Sequence, residues 1–234
     1  MLTKGGDVLD RVLEPEVMNT SDEAHDYNQM DHSRVNRLFV DDFLTALDWI
    51  GQPTSGVWQI FDAGTGTALI PIELIQRGLR ATVIASDLAD EMLIVARQNV
   101  TTKGLDHSIK LVHSDCKRLP DADETYDAVM SNSIVHHIPE PYRVLRELWR
   151  ILRRGGLLFI RDLARPDDDE TLERLVETYA EYASTHQKQM FRDSLHAALT
   201  VAEVCMIVRD LGVTNDVVQL TSDRHWTICC QKKS

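Results

Sequence analysis

The chain has no run approaching the roughly 20 consecutive apolar residues of a membrane span, and its opening stretch, MLTKGGDVLDRVLEPE, lacks the apolar centre of a secretion signal. A cytoplasmic protein is therefore expected. Cysteine is sparse: Cys116, Cys205, Cys229 and Cys230 are four among 234 residues, with no CxxC pairing. Cys229 and Cys230 would point to opposite faces of a strand, so reduced, mostly buried thiols are expected and not a disulfide framework. Positive charge is scarce too, with 25 Lys and Arg against 37 Asp and Glu and a formal net charge of -12. That balance argues against a function resting on a broad phosphate-binding surface, so nucleic acid is not an expected partner. Internal repeats and low-complexity linkers are absent. What is present in quantity is apolar content, 43%, enough at this length for one elaborated domain with a substantial core.

The apolar residues are arranged in two alternating periods. From about Arg34, Val35, Leu38, Phe39, Phe43, Leu44 and Leu47 share one helical face, ending before GQPTSG. VWQIFD then reads as a strand closed by a glycine turn, followed by a helix through ALIPIELIQRG, with Pro71 near its start and Gly78 as its stop. ATVIASD, IKLVHSD, YDAVMSN and LLFIRDL read as further strands. ADEMLIVARQNVTTKG and EPYRVLRELWRILRRGG read as helices between them, the second capped by its glycines. This alternation implies parallel βαβ units in an α/β doubly wound sheet, with too few units for a barrel. After ARPDDD the pattern becomes helical. ETLERLVETYAEYAS is a long amphipathic helix, HQKQMFRDSLHAAL is ambiguous, and TVAEVCMIVRDLG is a helix with Thr200 and Glu203 spaced as a capping box. VTNDVVQLTSDRHWTICCQ reads as two strands turning at Ser222-Asp223, an antiparallel hairpin on the sheet edge.

The glycine turn lies where an open α/β sheet binds ligands, at the carboxyl end of its first strand. A dinucleotide fingerprint needs a third glycine where this chain has Leu69, and no G-K-[ST] follows for a phosphate loop. Asp62, just ahead of the turn, has the wrong sign for a pyrophosphate and the right one for an ammonium. Asp87 ends the second strand, where a carboxylate accepts two hydrogen bonds from a ribose diol. Asp115 ends the third, where it or its neighbouring backbone can receive an exocyclic amine. An amino-acid-bearing nucleoside satisfies all three.

FDAGTGTALIPIEL, IASDLADEMLIVARQN, LVHSDCKRLP, YDAVMSNSIVHHIPEP and LRELWRILRRGGLLFIRDL together resemble the class I S-adenosylmethionine-dependent methyltransferases, in that family's order, over roughly Val57 to Leu163. The resemblance implies a Rossmann-like sheet of seven strands in a single domain. Its parts would be an N-terminal helical lid over 20–50, a cofactor-binding core over 56–163, and an inserted helical segment with the last strands over 164–234. It implies that Asp62, Gly64, Thr65 and Gly66 line the methionine end of S-adenosylmethionine. Asp87 would hold the ribose, Leu88 would pack on the adenine, and Asp115 would meet its amine while Cys116 contributes a backbone N–H. Ser131 and Asn132 would border the sulfonium and the acceptor. The family's last glycine is Ala68 here, a residue still small enough to open a helix beside the ligand.

The adjacent histidines of VHHIPEP suggest base chemistry by His136 or His137, because an imidazole titrates near neutral pH. No metal site is expected from them, since adjacent residues do not converge as the i, i+4 pair of a zinc helix does and no third ligand is evident. Asp127, at the other end of its strand, reads as structural, and PDDDE as a solvated helix start. Tyr27 and Arg34 are candidate lid residues, followed by Phe191 and Arg192 in the inserted segment. The expected activity is methyl transfer to a small molecule. The alternatives are another reaction on the same cofactor, RNA methylation and, least favoured, a nicotinamide oxidoreductase.

Overall fold

The computed structural model describes residues 9–15, 19–29, 33–51, 53 and 56–233. In the first strand, β1 (Trp58–Ala63), every residue but Gln59 is buried, the pattern of a strand covered by helices on both faces. It pairs in parallel with β2 (Ala81–Asp87) on one side and β4 (Tyr126–Asn132) on the other. β3 (Ile109–His113) extends the sheet beyond β2, and β5 (Leu152–Leu163) beyond β4, both parallel. β7 (His225–Gln231) runs antiparallel to β5, and the short β6 (Val218–Leu220) lies antiparallel outside it. The order β3-β2-β1-β4-β5-β7-β6 is the doubly wound, mostly parallel sheet expected, with its antiparallel hairpin at the edge.

Eight helices accompany the sheet among the described residues: α1 (Ser21–Gln29), α2 (Ser33–Ile50), α3 (Leu69–Gln76), α4 (Asp90–Thr102), α5 (Pro141–Ile151), α6 (Asp169–Tyr179), α7 (Thr185–Ala197) and α8 (Val201–Asp210). The strand period of two divides the core. Ile60, Met130, Leu157 and Phe159 face one layer with Phe39 and Phe43 of α2, while Phe61, Val129, Leu158 and Ile160 face the other with Leu145 and Leu148 of α5. Cys229 and Cys230 fall on opposite sides as expected, and all four cysteines are free. Phe159 meets both Phe39 and Phe43 edge-on, at centroid distances of 5.1 and 5.6 Å. Arg161 ties α2 to the sheet by donating to Asp42 at 2.7 Å and to Thr227 at 2.9 Å.

Asp127 acts as a structural clamp at the amino ends of the strands, accepting from the Gln59 N–H at 2.8 Å and pairing with Arg153 at 2.5 Å. Two local expectations are corrected. The glycines after α5 are not its cap, because β5 begins at once at Leu152 and Gly155 and Gly156 lie inside it. The register of β4 on β5 shifts between Tyr126 and Ala128, and a Cβ at Gly156 would come 2.7 Å from the Asp127 carbonyl, so the pair marks a bulge. The helix expected over ETLERLVETYAEYAS is shorter, since α6 stops at Tyr179, and the ambiguous HQKQMFRDSLHAAL forms α7, opened by Ser184 through a capping box with Gln187. The Thr200–Glu203 box forms as read.

Candidate cofactor and acceptor site

The strand order reverses between β1 and β4, so the loops leaving their carboxyl ends diverge and open a crevice. The turn after β1 occupies it. Gly64, Gly66 and Ala68 adopt left-handed backbone, with φ of 69°, 55° and 61°. At Gly64 a side chain is also excluded sterically, because a Cβ there would run into Ile134. Ala68 faces the same conformational demand, which alanine meets at a cost of about 1–2 kcal/mol. The Thr65 N–H donates to the Ser86 carbonyl at 2.9 Å, fixing the turn to β2.

Asp62 is 3% exposed, and burial, reinforced by the nearby Asp87 charge, pushes its carboxyl up to about 7. Asp87 accepts from the Gly66 N–H at 2.7 Å and from the Ala89 N–H at 2.9 Å, yet burial holds its carboxyl above the usual carboxylate range. Tyr27 of α1 is near both, its phenol driven up to about 12 by burial and by the charges of Asp87 and Asp62. A cavity at the turn is lined by Tyr27, Asp62, Gly64, Thr65 and Asn132, and also by Asn36, Thr67, Leu69 and Ile70. Thr67 Oγ1 and Asn132 Oδ1 are buried without a hydrogen-bond partner. A buried carboxylate in the lining, with Asp87 close by, and these unanswered polar atoms suit a ligand bearing a cation and several donors. Asn36 was not foreseen; it is one polar position on an amphipathic helix, with nothing in its spacing to mark it.

The other expected residues divide. The Leu88 carbonyl accepts from His113 Nε2 at 2.9 Å, beside Asp87. The Cys116 thiol is buried 3.5 Å from Ser86 Oγ, and burial raises it to about 12. Asp115 lies just past the end of β3, where Oδ1 accepts from the Lys117 N–H at 2.9 Å and stands 3.2 Å from Lys117 Nζ. Ser131 is fully buried and donates to the Ala63 carbonyl at 2.9 Å, a link between β4 and β1 and not a wall of the cavity. Arg34 is exposed on α2 and does not line the cavity, while Phe191 packs against Leu163 and Leu172. Arg192 joins α7 to α6 through two 2.6 Å hydrogen bonds to Glu173.

The histidine pair lies on a single 3-10 turn, Val135–His137, beyond β4. His136 is 4% exposed, with Nδ1 2.5 Å from Asp162 and Nε2 3.5 Å from Glu14. Burial opposes its charge, but the Asp162 carboxylate outweighs that, and the imidazole is held above its ordinary range. A base taking an acceptor's proton needs a nitrogen turned to the acceptor, whereas both nitrogens of His136 face carboxylates. Glu14 also stands 3.1 Å from His137 Nδ1, and it arrives on a segment far away in the chain. That pairing leaves no local signal in the sequence.

Residues 61–160 match the model of the methyltransferase domain family. Relatives include the methyltransferase GfsG of Streptomyces halstedii, 32% identical over 45% of this chain and 37% of its own length. A demethylmenaquinone methyltransferase of Deinococcus radiodurans is 33% identical over 46% of this chain and 44% of its own. The matched region thus spans less than half the length of these relatives. Among solved structures, a putative S-adenosyl-L-methionine-dependent methyltransferase of Methanococcus maripaludis superposes with a TM-score of 0.68 over 95% of this chain and 98% of that one, at 16% identity. The fold is the Rossmann-like one of methyltransferases. Over residues 61–160 the chain is thus similar to the methyltransferase domain family.

Proposed function

We propose that the chain is an S-adenosylmethionine-dependent methyltransferase that modifies a small molecule in the cytoplasm. The observation that carries this reading is Asp62, a buried carboxyl at the glycine turn, raised to about 7 and without a cationic partner among the described residues. An ammonium brought against it would restore its charge and satisfy it. Asp62, Gly64, Thr65 and Gly66 would hold the amino-acid end of the cofactor, with Asn132 Oδ1 accepting from it. Asp87 would take the ribose hydroxyls, Leu88 the adenine face, and Asp115 with the Cys116 N–H the adenine edge.

When bound, the cofactor supplies a methyl group on a sulfonium, whose charge disperses as the methyl leaves. The protein's own contribution is to orient the two partners in line and to keep water out. Tyr27 lining the cavity beside Asp62 supports a covering role for α1, and the helices from α6 to α8 would enclose the acceptor. The activities named for the relatives and the net charge of -12 both support a small acceptor over RNA. Calorimetric titration with S-adenosylmethionine, its demethylated product and NADH tests the cofactor, and labelled-methyl transfer into candidate acceptors tests the reaction. Binding of NADH alone, or label entering bulk RNA and no small molecule, would overturn the reading.

A further inference from the structure

The described residues contain one group of three possible metal ligands, and it lies outside the proposed cofactor-binding residues: Glu14, His136 and His137, whose donor atoms all fall within 4.8 Å of one another. We infer that these three side chains form a binding site for a first-row divalent cation of the Zn2+ kind.

The distances suit an ion between the side chains. Donors about 2.0–2.2 Å from a tetrahedral ion stand about 3.3–3.6 Å apart. Glu14 Oε1 is 3.5 Å from His136 Nε2, within that span, and 3.1 Å from His137 Nδ1, a little under it. The close pair lacks the alignment of a good hydrogen bond, and Glu14 Oε1 and His137 Nδ1 are both buried without a well-directed partner. A cation answers both atoms at once, where a single proton directed along neither axis does not.

The supporting groups point the same way. The Asp162 carboxylate receives the Nδ1 side of His136, which leaves Nε2 as the nitrogen presented to Glu14. A carboxylate behind the far nitrogen of an imidazole is the usual second partner of a histidine ligand. The two imidazoles lie 4.1 Å apart at 35°, close enough to present nitrogens to one point. Arg11 does not compete for the carboxylate; it donates to the carbonyls of Ala197, His136 and Ile138 and pins the segment that delivers Glu14. Two imidazoles and one carboxylate select Zn2+ and its neighbours over Mg2+ or Ca2+, which favour oxygen throughout. Three protein ligands leave a fourth position for water or another donor.

The test titrates the full chain, stripped with chelator, against Zn2+ and Co2+. One ion per chain is expected, with a rise in melting temperature and visible Co2+ bands that lack thiolate charge transfer. Glu14→Gln and His137→Ala should each weaken Zn2+ binding at least tenfold and abolish the thermal shift. Near-ultraviolet circular dichroism reports whether each variant is folded, and if His137→Ala is not, the isosteric Glu14→Gln decides. Unchanged affinity in the folded variants, no binding at micromolar Zn2+, or thiolate bands from a cysteine site would each overturn the assignment.

Discussion

The carboxyl edge of the sheet and the N-terminal segment that crosses it are built in different ways. At the edge, Asp62, Gly64 and Gly66 lie within five residues, and Asp87 reaches back to the Gly66 N–H at 2.7 Å. Strand, turn and helix there are each dictated by neighbouring residues. The crossing segment works through distant partners: Arg11 holds carbonyls of Ala197, His136 and Ile138, and Glu14 meets His136, His137 and Ser194. A binding edge made of local motifs survives large changes elsewhere in a chain, whereas a cover made of long-range contacts is free to vary with what it must enclose.

If the edge is as tightly specified as this, its tightest point should fail hardest. Gly64→Ala, forcing a Cβ onto Ile134 at a φ of 69°, is expected to destabilise the protein by roughly 3–5 kcal/mol, read as a drop in the denaturation midpoint. The next largest effect is expected from Asp62. Its folded value of about 7 exceeds the ordinary aspartate value of 3.8, so between these pH values the folded state keeps a proton that the unfolded state has lost. The empty protein should therefore lose stability as pH rises through that window, by up to about 1.4 kcal/mol per unit. Asp62→Asn should flatten the profile while lowering cofactor affinity; thermal melts from pH 4 to 8 would expose the reverse slope if burial were not the governing term.

Asp87→Ala should weaken S-adenosylmethionine by about 1.5–3 kcal/mol without unfolding the chain, and an unchanged dissociation constant in calorimetry would remove it from the site. The cover should answer most weakly. Arg192→Ala breaks a half-exposed pair with Glu173 and is expected to cost under about 1 kcal/mol in chemical denaturation. A larger loss there would mean that α6 and α7 are as firmly specified as the edge.

The same contrast explains what could be read in advance. ATVIASD and YDAVMSN form β2 and β4 over the residues read as strands, because apolar runs between turn signals leave a short segment little else to do. β5 began earlier than read, since Gly155 and Gly156 look like a helix stop until the bulge that needs them is seen. Ala68 raised no conformational signal, because a left-handed position is recognised by the glycine that usually fills it. Ser131 looked like a cavity residue by its place at a strand end, but its side chain turned to the Ala63 carbonyl. Asn36 and Glu14 were illegible for a simpler reason: each is one polar residue whose partners lie elsewhere in the chain.

Asp162 sits where the two constructions join. Its carboxylate accepts from the N–H groups of Val135, His136 and Leu163 as well as facing the His136 ring. In hydrogen exchange, a turn on the sheet edge would ordinarily trade its amide protons by local fluctuation. Here the amides of Val135 and Leu163 share one buried acceptor, so neither can open without exposing a carboxylate that the other still needs. Their exchange should be slow and of similar free energy, tracking the opening of β5 and not that of the loop.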